Sequence, residues 1–263
     1  MYGFEEYDFG ISEYSIEDVR EDLNAVVKFF QAKDYHEHAM QLFMVDYRQL
    51  PMEVVEMADC FCVDEELSLD EFPEWMKSES LGLVKNKWVP MWGRCVFPIK
   101  DVRGNVMGFQ GWDPFEKPKY LDSKNYGYKA GATTLYGMEM LPEYYNNKKP
   151  VFVTEGLMCC LYLRWKGYQA LSSLGSWLTP YQIQILSRFG NRLVAVPDND
   201  ETGDKYIRQI KRCLPKALIV QVRCGKDIDG CRREEDGKYE DLLLKDLAVA
   251  HIPFAKTNML IRR

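Results

Sequence analysis

From residue 150 onward, short apolar runs alternate with helical stretches, and this alternation constrains the fold more than any other feature. Val151–Thr154, Tyr168–Ser172, Leu193–Val196 and Ala217–Val222 read as strands. Leu157–Trp165, Pro180–Phe189 and Thr202–Leu214 read as the helices between them. Strands separated by helices of about ten residues make βαβ units, hence a parallel sheet covered on both faces. In such a sheet every strand ends at the same edge, and sites form beyond the carboxyl ends.

The residues following those strands carry the chemistry. The first strand runs into Glu155–Gly156 and the second into Ser172–Ser173–Leu174–Gly175, a turn of small residues. The third runs into Pro197–Asp198–Asn199–Asp200–Glu201–Thr202–Gly203, and the fourth into Arg223–Cys224–Gly225–Lys226–Asp227–Ile228–Asp229. Asp198 and Asp200 are two apart, so they can point the same way. Like charges held together are costly unless a cation offsets them. Mg²⁺ suits the pair, because it takes one or two carboxylates and completes its shell with water and phosphate oxygens. Glu155 is a further ligand or a general acid/base for a hydroxyl. A single acidic turn is explained by helix capping, with Asp200 or Thr202 as the cap. Three acidic turns on one edge are not.

Upstream, Val19, Leu23, Val26, Val27 and Phe30 recur at helical spacing, followed by Ala39, Leu42 and Phe43, so residues 16–47 read as helical. Residues 51–80 read as short helices in an acidic wrapper. Cys95–Ile99 and Val106–Gln110 flank the turn Asp101–Asn105 and read as a β-hairpin. Residues 113–135 are turn-rich and basic. Residues 1–90 carry 7 Lys+Arg against 21 Asp+Glu, whereas the remainder carries 27 against 19. A basic back half suits a polyanionic partner. The eight cysteines form no CxxC pair and there are three histidines, so a zinc ribbon is excluded and scattered reduced thiols are expected. No apolar run reaches membrane-spanning length, and the acidic N-terminus lacks the regions of a signal peptide. The expected location is the cytoplasm (a host's cytoplasm if the chain is phage-encoded), with no membrane partner.

These segments resemble a known family. VFVTEG, the Ser-Leu-Gly after the second strand and VPDNDETG are similar to the TOPRIM domain of DnaG-type primases, topoisomerases and related nucleases. RCVFPIKDVRGNVMGFQGWD and PKYLDSKNYGYKAGATTLYGM resemble the stretch preceding TOPRIM in bacterial and phage DnaG-type primases. The resemblance runs from about Tyr47 to Leu244 and implies an α/β fold. A mixed α+β primase N-terminal subdomain precedes a TOPRIM-type parallel-sheet domain. The expected division is an acidic helical part at 1–90, a basic hairpin and loop part at 91–148, TOPRIM at 149–250 and a tail at 251–263. The implied activity is a phage-like DNA primase core. It would make short RNA primers on single-stranded DNA from ribonucleoside triphosphates, by metal-dependent nucleotidyl transfer.

By the same resemblance Glu155, Asp198 and Asp200 are catalytic and metal-binding, with Mg²⁺ or Mn²⁺ in two or more positions. Asp227 and Asp229 match a further acidic metal-binding pair. Arg94, Lys119 and Lys129 match basic residues of the nucleotide and template groove, with Tyr120 and Ser123 in the same segment and Arg103 as another phosphate-binding candidate. The family's zinc-binding and helicase-binding domains have no counterpart in this sequence, so a replicative helicase and a separate zinc-domain protein are expected partners. Three departures stand out. Cys159 occupies the place of an Asp four residues after Glu155, Trp112 replaces an Arg, and GCRREEDGKY follows Asp229 as an insertion. The competing readings are a TOPRIM nuclease, a degenerate accessory protein binding single-stranded DNA or helicase, and a phosphatase using Asp198-Asn-Asp200-Glu-Thr202 as its nucleophile loop.

Overall fold

The computed structural model describes residues 16–78, 81, 83–84, 89–123, 131, 133–222 and 225–233. Two four-stranded sheets organise them. The first is antiparallel, in the order β1 (Phe61–Val63), β2 (Arg94–Lys100), β3 (Val106–Trp112), β4 (Tyr120–Asp122). The second is parallel, with β5 (Val151–Thr154), β6 (Gln169–Ser172), β7 (Leu193–Val196) and β8 (Leu218–Ile219) in the order β6-β5-β7-β8.

Helix α1 (Ile16–Gln31) lies on one face of the antiparallel sheet, where Leu23, Val26 and Phe30 meet Phe61, Val96 and Phe109. Phe30 stacks on Phe61 at 5.0 Å. The other face carries Cys95, Phe97 and Trp112. It meets a helical layer built from α2 (His36–Met40), the π-helical turn Gln41–Tyr47, α3 (Met52–Ala58) and α5 (Leu157–Trp165). Here α4 is Leu141–Asn146. α5 is buried over Leu157–Leu163 because the parallel sheet covers one side of it and α3 and the helix Ile228–Arg233 cover others. Phe152, Val194 and Val196 line the near face of the parallel sheet. Val151, Val153 and Ala195 line its far face, against α6 (Pro180–Ser187) and α7 (Glu201–Cys213). Strand alternation thus separates two apolar cores on either side of one sheet.

Several sequence expectations are corrected. Residues 51–80 are not wholly helical, because Phe61–Val63 pairs with Arg94–Val96 as β1. The antiparallel sheet therefore takes strands from both sides of residue 90. Tyr120–Asp122 forms β4 within the stretch read as turns. The fourth parallel strand shrinks to Leu218–Ile219, which pairs with Val194–Ala195 at the edge of the sheet. The helical reading of 16–47 is interrupted by a turn at 32–35. Cysteines 60, 62, 95, 159, 160 and 213 are free, as expected, but Cys231 is disulfide-bonded, a pairing that spacing without CxxC did not signal.

Phe152 is fully buried between the parallel sheet and the central helices. Phe152→Ala should cost about 3–5 kcal/mol of unfolding free energy in urea titration, since those neighbours cannot collapse into the cavity.

Candidate active site

Parallel pairing of β5 with both β6 and β7 brings the turns after these strands to one edge. There the Oε1 atom of Glu155 accepts the Asp198 backbone N–H at 3.0 Å. Asn199 ties the third turn to the fourth: its N–H donates to the Lys226 carbonyl, and its Nδ2 donates to the carbonyls of Val222 (2.8 Å) and Gly225 (3.1 Å). Glu155, Asp198, Asp200 and Asp227 thereby share one electrostatic environment with Lys226.

Asp198 is the centre of that environment. Burial first, and then the negative charges of Glu155 and Asp227, push its carboxyl up to about 7, with Lys226 opposing. Burial also raises the Glu155 carboxyl. Asp200 moves the other way. It caps α7, with Oδ1 accepting from Thr202 N and Gly203 N at 2.9 Å each and from the Thr202 hydroxyl at 2.5 Å. Those bonds, and the Lys226 ammonium 3.0 Å from its Oδ2, hold its carboxyl well below the ordinary range. The capping reading of this turn is thereby realised at Asp200. Gly203 is required by close approach, since a Cβ there would lie 1.9 Å from the Asp198 carbonyl oxygen. Gly156 has no such constraint.

Asp227 and Asp229 part company. Asp227 uses Oδ1 to accept the Gly230 N–H at 2.6 Å and faces the acidic group. Asp229 is 2% exposed, and Arg48, Arg232 and Arg233 occupy both its oxygens. That corrects its expected place among the metal ligands: three guanidinium groups already neutralise it. Arg48 also stacks on Trp112, 4.2 Å from the ring, and reaches the Tyr120 hydroxyl at 3.4 Å. Arg232 donates to the carbonyls of Arg48 and Gln49. This clasp joins the antiparallel sheet to α8 (Ile228–Arg233), the helix that follows Asp227.

The basic residues are also sorted. Lys119 is exposed immediately before β4, and Tyr120 lies opposite Trp112 in the sheet. Arg94 is buried, on the α1 face with Val96, and donates to the carbonyls of Pro118 and Lys119, so it shapes the β4 approach rather than lining a groove. Arg103 sits at the hairpin tip, a strand length of roughly 20 Å from the Trp112 end, and is not brought to the acids. Lys129 lies outside the described residues, and Ser123 is buried with its hydroxyl accepting from Phe109 N. Trp112 is fully buried against Phe43, Tyr47 and Arg48, so it packs and cannot stack a base. Sequence reading missed Arg48, Lys226 and the exposed Phe115, which meets Tyr47 edge-on at 5.4 Å. The basic GKD turn was the available signal for Lys226.

Among the described residues, no three acidic, His or Cys groups form a ready cage for a metal ion. The donor set nevertheless fits a hard divalent cation. It is all oxygen, burial and neighbouring carboxylates push the Asp198 carboxyl up, and Cys159 stays a thiol because burial and the nearby aspartates push it up. Glu155, Asp198, Asp200 and Asp227 are the residues able to hold such an ion.

The Asp198 carboxyl sits at 3.8 when unperturbed and about 7 in the fold. Below the lower value both states keep the proton; above it the unfolded chain ionises more readily, so stability falls as pH rises through this window. In metal-free buffer, Asp198→Asn should flatten that decline and raise the melting temperature at pH 8 by roughly 2–4 °C, the shift about 1 kcal/mol gives a chain of this size. A thermal melt series across pH reads it. Gly203→Ala should lower the melting temperature by a similar amount, because Asp198 and α7 must separate.

Residues 152–231 match the Toprim-like family. The chain is 31% identical over 167 residues to the DNA primase of Clostridium acetobutylicum, covering 61% of this chain and 28% of that protein. It is 35% identical over 127 residues to the DNA primase of Escherichia coli K12, covering 46% and 22%. The chain thus spans about a quarter of these relatives. Its structure superposes on a DnaG catalytic core with a TM-score of 0.70 at 25% identity, covering 88% of this chain and 79% of that one. A DnaG primase catalytic domain bound to single-stranded DNA gives 0.68 at 23% identity, covering 93% and 85%, a likeness of fold. Among the described residues no helix is long and apolar enough to cross a membrane. The chain carries a Toprim-like domain and has the fold of the DnaG-type primase catalytic core.

Proposed function

We propose that this chain joins ribonucleotides into short primers on a single-stranded DNA template, with Glu155, Asp198, Asp200 and Asp227 as its reactive centre. The observation that carries the reading is the convergence of acids from three strand ends around Asp198, on a DnaG-type core. A 3′-hydroxyl attacks the α-phosphate of an incoming ribonucleoside triphosphate and pyrophosphate leaves. Glu155 is fixed through Oε1 on Asp198 N–H, leaving Oε2 to accept the hydroxyl proton. Lys226 lies across the Asp200 carboxylate and can turn to the triphosphate. Lys119, exposed before β4, contributes a phosphate contact. Bound Mg²⁺ or Mn²⁺ would lower the hydroxyl pKa and offset charge on the leaving oxygens. The division into an N-terminal primase part and a TOPRIM part, a cytoplasmic setting and a phage origin belong to this proposal, as do a helicase and a zinc-domain protein as partners.

Cys159 favours a second reading. It replaces a carboxylate one turn after Glu155 with a neutral thiol, as a degenerate core that only binds DNA would allow. Incorporation of labelled ribonucleotide on single-stranded DNA decides between the two. Wild type should form product with Mg²⁺ or Mn²⁺. Glu155→Ala and Asp198→Ala should each lower it at least a hundredfold while single-stranded DNA binding survives. Absence of wild-type product, even with a zinc-domain protein supplied, establishes the second reading. Product persisting in the double variant rejects the assigned residues.

A further inference from the structure

Trp177 is 60% exposed, an unusual position for the largest apolar side chain. Looseness does not explain it, because the loop that carries Trp177 is pinned on both sides. Before it, Gly175 N–H donates to the Glu155 carbonyl at 3.0 Å, and the Ser172 hydroxyl donates to the same oxygen at 2.9 Å. After it, Gln209 reaches across from α7 and closes a two-way bond with Leu178, 2.8 Å to its N–H and 2.7 Å to its carbonyl. Gln182 braces the same loop, with Nε2 on the Ser173 carbonyl at 3.0 Å and Oε1 on Thr179 N–H at 3.0 Å. Two buried glutamines therefore spend their amides fixing backbone on which the one large side chain is left in water. Tyr181, 46% exposed, follows four residues later.

The loop is also next to the reactive centre. Gly175 touches the Glu155 backbone, and Trp177 is two residues on, at most about 7 Å of chain away. An indole carried on fixed backbone beside a carboxylate edge needs no loop ordering to contact a flat ligand. Every nucleobase offers a π-face, and stacking on aromatic residues is how single strands are gripped without sequence preference.

We infer that Trp177 is a stacking platform for a base of single-stranded DNA at the carboxyl edge of the parallel sheet. The inference rests on the primase reading, since it supplies a strand-binding contact to that same site. It adds a residue on the TOPRIM side to the Lys119 and Tyr120 side already described.

The test is fluorescence anisotropy of a labelled mixed-sequence oligodeoxynucleotide, with EDTA and without ribonucleotide, so that chemistry plays no part. Trp177→Ala should weaken binding about fivefold or more, and Trp177→Phe should keep most of the affinity. The salt dependence of binding should keep its slope in Trp177→Ala, because stacking releases no counterions, whereas Lys119→Ala should flatten it. Trp165→Ala removes another exposed indole at the far end of α5 and should change nothing. Equal binding by Trp177→Ala and wild type overturns the inference and leaves the primase reading intact. So does unchanged DNA binding with a raised KM for ribonucleotide, which would place a nucleotide base there instead. Wild type failing to bind the oligonucleotide at all removes both. Melting temperatures of the variants, expected within 1–2 °C of wild type for a side chain in water, separate contact from unfolding.

Discussion

Negative charge held together at one sheet edge is the constraint on which the rest of this molecule depends. Burial disfavours the charged forms of Asp198 and Glu155, and the neighbouring carboxylates, Asp227 included, add to it. The surrounding fold supplies what keeps them there. Parallel pairing of β5 with β7 sets Glu155 beside the Asp198 backbone, and the resulting hydrogen bond anchors the glutamate. Asn199 sews the third turn to the fourth. The absence of a side chain at Gly203 lets α7 start directly against Asp198. Apolar packing on both faces of the parallel sheet provides the stability against which that repulsion is set.

The two sheets are joined by a second electrostatic arrangement of opposite character. Asp229 is surrounded by three guanidinium groups, and Arg48 carries the connection onward to Trp112 and Tyr120. A buried ion pair of this kind recovers little net stability after desolvation, but removing one partner strands the others. Its effect here is geometric. It fixes α8, and with it the turn carrying Lys226 and Asp227, relative to the antiparallel sheet. Trp112, standing where related chains are expected to have Arg, gives Arg48 a flat face to lie on.

Much of the parallel half was legible. Val151–Thr154, Leu193–Val196 and Leu157–Trp165 have the observed limits, because a buried parallel strand is a continuous apolar run and α5 is apolar on every side. The three-residue strands β1 and β4 were not legible, since so short a segment shows no period. Asp200 read either as a cap or as a ligand, and its hydrogen bonds show that the first is realised. Arg94 and Arg103 carried the right charge for a groove, but strand alternation turned one under the sheet and hairpin length took the other away.

The sequence by itself determined that carboxylates would meet, because strands joined by helical crossovers run the same way and so end at the same edge of the sheet. Only the tertiary structure decided which of them stay available. Arg48 and Asp229 are 181 residues apart, and no local pattern pairs them. The same holds for Trp112, buried against Phe43, Tyr47 and Arg48, and for Trp177, whose neighbour Leu178 is fixed by Gln209 from α7. Periodicity is a property of neighbours along the chain, whereas neutralisation and exposure depend on what distant segments bring to the same few ångströms.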